Sequence, residues 1–284
     1  MCGIVGFFDI KLDKSEAELK SRVQEMSITM AHRGPDDEGV WVDQECGLAL
    51  GHRRLSILDL SQEGRQPMLS ESGRYVLVYN GEIYNYQELK KEIGKKGYAW
   101  RGNSDTEVML AAFETWGVED SLKYFNGMFA FALWDRLERS LFLARDRMGQ
   151  KPLFYGYNNG IFFFASELKA LQNHPDFHPD INRDSLAAYL RYNYVPTPHC
   201  IYKGLFKLSQ ASYLKFSWEN LRKKEIPEVK SYWSLNNIAL SSLAEKRKLD
   251  ERGWLQEAED ILLNATANRM ISDVPLGAFL SGGI

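Results

Sequence analysis

The sequence predicts a layered α/β sandwich with antiparallel strands, and three observations point to it. Runs of β type at Met128 to Trp134, Leu141 to Ala144, Leu153 to Tyr157 and Ile161 to Ala165 follow one another at the spacing of a meander. These runs are almost continuously apolar, so their sheets are expected to be covered on both faces, by helices or by another sheet. Two stretches with helical spacing begin with capping-box pairs, Ser15 with Glu18 and Ser104 with Glu107, and supply covering helices.

Taken in order, Ile4 to Phe8 reads as a strand that begins almost at residue 2. This places the N-terminus inside the fold, whereas ordinary termini are loose. From Ser15, the spacing of Leu19, Val23, Met26 and Met30 predicts a helix to about Met30, and Arg33-Gly34-Pro35-Asp36 is a turn. Strands are expected at Gly39 to Val42, Gly47 to Gly51 and Tyr75 to Tyr79; Asn80-Gly81 after the last is the strongest short turn signal in the chain. A helix follows Asn85, with Glu88 at its third position, and stops near Gly97; the helix from Ser104 stops at Gly117. After the meander, with its turn at Asn158-Asn159-Gly160, the sequence becomes irregular and proline-bearing from Leu171. That texture reads as a domain margin with a boundary near Lys203, dividing the chain into 1–203 and 204–284. Trp254, Ala258, Ile261, Leu262 and Ala265 mark an amphipathic helix, followed by an apolar run from Ala278 to Leu280 and by Ser281-Gly282-Gly283-Ile284. A chain that stops where a strand meets a glycine loop is expected to be truncated inside its second unit. Apolar surface along 254–280 is then expected to be exposed.

With 284 residues, 44% hydrophobic and 26% charged, the chain holds a full core plus part of a second domain. Its 13% aromatic content and 9 prolines exclude disorder, and a mean hydropathy of -0.37 without a long apolar run excludes a membrane span. A net charge of -3 and a pI near 6.0 leave no basic excess for nucleic acid. The clusters Arg222 to Lys224 and Lys246 to Lys248 are flanked by acids and read as solvated loops. The N-terminal apolar stretch is too short for a signal peptide, so cytoplasmic residence is expected. Three cysteines with no paired spacing suggest neither a disulfide framework nor zinc, and Cys46 and Cys200 read as buried thiols. His174 and His178 have the spacing of a metal pair, but Pro175 and Pro179 break the helix it needs. No metal site is expected.

Removal of Met1 before the small Cys2 side chain would leave a cysteine with a free α-amine. Such an amine titrates near about 7.7 to 8.0, so at neutral pH one residue supplies both nucleophile and base. A thiol attacking a carboxamide needs an oxyanion hole, and Asn80-Gly81 offers a side-chain and a backbone N–H together; the plain alternative is a hairpin turn. For an amino-acid amide such as glutamine, a bidentate arginine would clamp the α-carboxylate and paired carboxylates the α-ammonium. Arg54, Glu82 and Asp105 are the candidates, though by spacing each is equally a surface charge or, for Asp105, a first-turn helix residue.

Cys2-Gly3-Ile4-Val5-Gly6, His32-Arg33-Gly34-Pro35-Asp36, His52-Arg53-Arg54-Leu55-Ser56-Ile57, Asn80-Gly81-Glu82-Ile83-Tyr84-Asn85 and Ser104-Asp105-Thr106-Glu107 occur in order. Together they resemble the class II glutamine amidotransferases, of the N-terminal-nucleophile hydrolases. Phe125 to Ala130 and Arg145-Asp146 through Lys151-Pro152-Leu153 extend the resemblance, and Asp273 to Gly277 with Ser281-Gly282-Gly283 narrows it to the glutamine-hydrolysing asparagine synthetase family. The resemblance implies a four-layer αββα sandwich in which Cys2 forms a glutamyl thioester and ammonia leaves through a tunnel. It implies that Arg54 holds the α-carboxylate, that the backbone of Leu55, Ser56, Ile57 and Leu58 lines the site, and that Glu82 and Asp105 hold the α-ammonium. Asn80 and Gly81 match the oxyanion hole, and catalysis of hydrolysis needs no cofactor. Leu280, Ser281, Gly282 and Gly283 resemble the start of a pyrophosphate loop of an ATP-pyrophosphatase domain. In a complete enzyme of that family, Mg-ATP would activate aspartate as β-aspartyl-AMP for amidation, possible homodimers being the family pattern; this chain alone is expected to make no asparagine. The alternatives are an amidotransferase acting on a sugar carboxylate in polysaccharide assembly, a β-lactam synthetase relative, disfavoured by the intact Cys2 and Asn80-Gly81, and a non-catalytic remnant that binds glutamine or a partner.

Overall fold

The computed structural model describes residues 1–244, 249–279 and 282. The chain runs through β1 (Gly3–Phe8), α1 (Glu16–Ile28), β2 (Asp37–Asp43), β3 (Leu48–Arg54), β4 (Met68–Leu69), β5 (Tyr75–Ile83), α2 (Tyr86–Gly94), α3 (Asp105–Trp116), α4 (Val118–Tyr124), β6 (Gly127–Asp135) and β7 (Ser140–Arg145). It continues through β8 (Phe154–Asn158), β9 (Ile161–Ala165), α5 (Leu168–Gln172), α6 (Arg183–Tyr192), β10 (Leu205–Lys207), β11 (Ser212–Phe216), α7 (Trp218–Lys223), β12 (Lys230–Ser231), α8 (Leu235–Ala244) and α9 (Glu251–Ala267).

The strands form two six-stranded sheets, β10-β8-β9-β1-β3-β2 and β12-β11-β7-β6-β5-β4. Strand alternation sorts the apolar side chains into three cores. On β1, Ile4 and Phe8 face the space between the sheets with Leu48, Leu50, Val76 and Val78, while Val5 and Phe7 face α1 and α5. On β5, Val76 and Val78 point inward, while Tyr75, Leu77 and Tyr79 pack beneath α2, α3 and α4. The result is the four-layer αββα sandwich, and burial on both faces is why the strands read as continuous apolar runs. A one-residue slip of either strand would exchange its two faces.

The expected start of α1 is present in full, with Ser15 and Glu18 capping each other reciprocally. At α3 only half of the expected box forms: Ser104 accepts from the Glu107 N–H, but the Glu107 carboxylate turns back to the Arg101 and Gly102 N–H groups at 2.8 and 2.9 Å. The segment after Leu171 contains α6, capped by Asn182 and left-handed at Asn193. The prolines that suggested irregularity lie outside its bounds. Asn80-Gly81 is not a turn: β5 runs through it, pairing Asn80 with Ala130 and Gly81 with Phe129. A Cβ on Gly81 would lie 2.1 Å from the Met128 carbonyl oxygen, so glycine is there to let β6 approach. Three strands beyond Lys203, β10, β11 and β12, complete the two sheets. Ala278 and Phe279 are in no strand. The Lys246 to Lys248 cluster, Leu280, Ser281 and Gly283 lie outside the described residues. Helix α9 has no buried residue, and Leu255, Ile261, Leu262 and Leu263 are exposed. Among the described residues no helix is long and apolar enough to cross a membrane.

Two buried histidines tie stability to pH. His52 on β3 bonds the Tyr79 carbonyl across the sheets at 2.9 Å, and His174 packs edge-on to Phe7 and Phe163. Burial lowers both imidazole pKa values to about 4. The unfolded chain takes up these protons near about pH 6.5 while the folded chain resists them. Stability is therefore complete above that pH and lost as pH falls toward 4. Between pH 7 and pH 4.5 the pair should cost on the order of 5 kcal/mol, read as a fall in the urea midpoint, with His174→Phe removing about half of that fall.

Candidate active site

At one end of the inter-sheet space lies a cavity of about 100 Å³ whose lining includes Cys2, Arg54, Asn80, Glu82, Asp105 and Lys151. Alternation explains the first four. Cys2 continues the inward set of Ile4 and Phe8, Arg54 that of Leu48 and Leu50, and Asn80 and Glu82 that of Val76 and Val78. Three strands thus deliver an inward side chain to the same mouth.

The chain start is held firmly. The Ile4 N–H donates to Ser166 Oγ at 3.1 Å, and Arg33 donates through Nε to the Cys2 carbonyl and through Nη1 to Glu167, both at 2.9 Å. The Cys2 thiol is within hydrogen-bonding distance of Leu55, 3.4 Å from its N–H and 3.6 Å from its carbonyl. Burial raises the thiol pKa above its ordinary value, so the resting group is S–H and needs a base. The Met1 α-amine beside it is shifted downward, chiefly by burial and further by Arg33 and Lys151, with Cys2 and Asp36 opposing.

Asn80 is 1% exposed, and neither its amide nitrogen nor its amide oxygen has a partner among the described residues. An unsatisfied buried polar group costs about 1 to 3 kcal/mol, so such a side chain calls for a ligand. Gly81 supplies a second free donor through strand geometry. Both backbone groups of its partner Phe129 are engaged by Asp146, at 3.1 and 2.8 Å, so the Gly81–Phe129 pair is a non-hydrogen-bonded one and the Gly81 N–H points away from β6. On that edge the Tyr79 N–H is taken by Gln66 and the Ile83 N–H by Asp105, and β4 pairs only with Val76 and Leu77. The Gly81 N–H lies between the two occupied donors, on the cavity wall.

The charged walls are equally well built. Arg54, 6% exposed, gives Nη1 to the Ser61 carbonyl at 3.2 Å and Nη2 to the carbonyls of Leu58, at 3.2 Å, and Asp59. A guanidinium has five N–H donors, so Nε–H and one Nη1 hydrogen are left for a ligand. Gly64 makes room for it, since a Cβ there would lie 2.0 Å from Nη2. Asp105, at the first residue of α3, accepts from the Tyr79 hydroxyl at 2.8 Å and from the Ile83 N–H at 2.9 Å. Burial raises the Asp105 pKa; burial and then the Asp105 charge raise that of Glu82. Two carboxylates that repel each other in a shared cavity are complementary to a cation. Of the expected loop, Leu55, Ile57 and Leu58 line the cavity, whereas Ser56 turns outward and its N–H donates to Asp36 at 2.8 Å.

Sequence reasoning did not single out Arg33, Gln66 or Lys151 as site residues, although Arg33 and Lys151 stand in the ordered motifs. Lys151 is 5% exposed, and burial lowers its pKa. Its loop is folded around Asp146, whose carboxylate accepts from the N–H groups of Phe129, Met148, Gln150 and Lys151, and around Arg145, which donates to the carbonyls of Gly149, Lys151 and Leu208. This is what the Arg145-Asp146 pair does. Cys46 and Cys200 are buried away from the cavity.

A family model described as glutamine amidotransferase domain matches residues 1–233, and one described as asparagine synthase matches residues 257–284. Glutamine-hydrolyzing asparagine synthetase 3 of Bacillus subtilis is 36% identical, the alignment covering 100% of this chain and 44% of that protein. A putative glutamine-hydrolyzing asparagine synthetase 2 of Methanocaldococcus jannaschii is 37% identical over 100% of this chain and 55% of its own length, and asparagine synthetase B of Escherichia coli is 34% identical over 100% and 43%. The chain thus spans about half the length of the curated relatives it matches. Among solved structures, the glutamine phosphoribosylpyrophosphate amidotransferase of B. subtilis, complexed with ADP and GMP, superposes with a TM-score of 0.59 at 18% identity, over 83% of this chain and 50% of that one. At that identity the likeness speaks for the fold. The first model takes in both sheets and every wall of the cavity, and the chain belongs to the family of glutamine amidotransferase domains.

Proposed function

We propose that the chain hydrolyses glutamine to glutamate and ammonia, with Cys2 as the nucleophile. The observation that carries this reading is the buried, unpartnered Asn80 amide in the same cavity as the Cys2 thiol. Once Met1 is removed, the Cys2 α-amine accepts the thiol proton as Sγ bonds to the carboxamide carbon. The Asn80 side-chain N–H and the Gly81 N–H receive the oxyanion. Collapse breaks the C–N bond, the amine's proton leaves on ammonia, and a thioester remains. Water, deprotonated by the same amine, then cleaves the thioester to glutamate. A free Arg54 donor fits the α-carboxylate, and Glu82 with Asp105 fits the α-ammonium.

With Met1 retained, the Cys2 nitrogen is a peptide amide and cannot act as base. Intact-mass measurement should therefore show active chain lacking Met1, with ammonia and glutamate formed in equal amounts; a folded, Met1-free chain forming neither overturns the proposal. The base must be neutral, so activity rises with pH through the amine pKa. The acidic limb of kcat/KM should therefore report an α-amine, whose ordinary range is about pH 7.7 to 8.0.

For the whole protein we propose the reaction that the relatives' names describe, with ammonia passed to an aspartate activated by ATP and magnesium. Residues 257–284 support this through their own family match. Of the pyrophosphate-loop residues only Gly282 is described, and among the described residues no group of three or more His, Cys, Asp and Glu side chains is placed to hold a metal. Because β10 to β12 belong to the sandwich, we place the boundary between the units after Ser231, later than the Lys203 expected from composition. Cytoplasmic residence and a homodimer remain part of this proposal.

A further inference from the structure

The segment just after α9 reaches back to the Ile57–Asp59 loop, of which Ile57 and Leu58 line the cavity. Arg269 lies over the Tyr84 ring at 4.5 Å, one residue beyond β5, and Ile271 packs against the core beneath α2 and α3. Two residues on, the Asp273 N–H donates to the Ile57 carbonyl at 3.0 Å, and its carboxylate accepts from the Asp59 N–H at 2.7 Å.

The Asp59 N–H and the Leu58 carbonyl belong to one peptide group. The carbonyl accepts from Arg54 Nη2 at 3.2 Å while the N–H donates to Asp273. A carboxylate, a peptide and a guanidinium therefore stand in line, each polarising the next. The peptide leads into Asp59, which has a φ of +53°, a left-handed conformation that a non-glycine residue keeps only when its neighbours over-determine it. The Asp59 side chain is anchored by the Asn103 N–H at 2.7 Å and by Ser61. The outward face of the peptide is held by Asp273.

We propose that Asp273 is a positioning residue for glutamine binding, acting through the Leu58–Asp59 peptide to orient Arg54, and so couples the asparagine-synthase-like stretch to the glutaminase cavity. This rests on the proposed glutamine hydrolysis. Without the carboxylate, the N–H side of that peptide loses its partner, and the Leu58 carbonyl is held less firmly against Arg54. The substrate carboxylate should feel the change more than the reacting amide does.

The test compares glutamine hydrolysis by the Met1-free chain with that of Asp273→Ala, Arg54→Lys and the double variant. Asp273→Ala should raise KM for glutamine about tenfold, the effect of one charge-assisted hydrogen bond discounted for exposure, with kcat changed less than about threefold. In the Arg54→Lys background the same change should have almost no further effect on KM, because the two residues act in series. Asp273→Asn, which keeps an acceptor, should fall between. A residue that only supports the fold would lower the melting temperature and the active fraction while leaving KM unmoved. An active parent with an unchanged KM in Asp273→Ala, or additive KM effects in the double variant, overturns the inference alone; an inactive parent overturns the functional reading and the inference with it.

Discussion

Cys2→Ala should reduce glutamine hydrolysis by at least about 10,000-fold, the scale on which removal of a covalent nucleophile registers. Among the described residues that line the cavity, Cys2 supplies the only thiol; it is held beside Leu55 in the cavity that Asn80 and Gly81 also line. No other lining side chain combines nucleophilicity with an adjacent amine: Lys151 is a buried cation, Ser104 caps α3, and Thr106 accepts from Gln66 at 3.2 Å. The substitution removes one sulfur from a partly exposed position, so the melting temperature should hardly move. Ammonia and glutamate release by the parent and the variant, at equal folded concentration, provide the check. A variant retaining a tenth of the parent rate would show that water is activated without a thioester.

Asn80→Ala should lower kcat by about 100- to 1000-fold with a small change in KM, because the amide meets charge that develops only in the transition state. The stability response distinguishes this site from a structural one. A buried asparagine that held the fold through hydrogen bonds would cost stability when truncated. Here neither amide atom has a partner among the described residues, so removing them also removes an unsatisfied desolvation cost. Unfolding free energy should remain within about 1 kcal/mol of the parent or rise. Asn80→Asp should be at least as damaging to kcat, since a carboxylate would face the oxyanion. Steady-state kinetics beside urea unfolding read both effects; lost activity that tracks lost stability would mean that the amide is structural.

Most of the secondary structure was legible because it depends on short-range patterns. The Ser15 cap, the β6 to β9 meander and the apolar run of β1 each express a local preference that the tertiary structure also satisfies. Helix α6 was hidden by the prolines around it, and half of the Ser104 box was given up because Glu107 is needed by the Arg101-Gly102 backbone. Asn80-Gly81 shows a local preference overruled. As a dipeptide it favours a hairpin turn; in the fold it stays extended because β6 on one side and the inter-sheet space on the other leave room only for a strand.

By itself the sequence determined which residues bear chemistry, through their types and the ordered motifs in which Cys2, Arg54, Asn80-Gly81, Glu82 and Asp105 stand. Cys2, Arg54, Asn80 and Glu82 fall in phase with inward apolar residues only because β3 runs on to Arg54 and β5 runs on through Asn80-Gly81, bounds that the local pattern did not give. Only the tertiary structure decided that β1, β3 and β5 end at one mouth, that the Gly81 N–H is left unpaired between two occupied donors, and that Asp273 grips the peptide of Leu58 and Asp59. These depend on strand order, register and contact between residues far apart in the chain. The local periodicity of a strand carries no information about which strand will lie beside it.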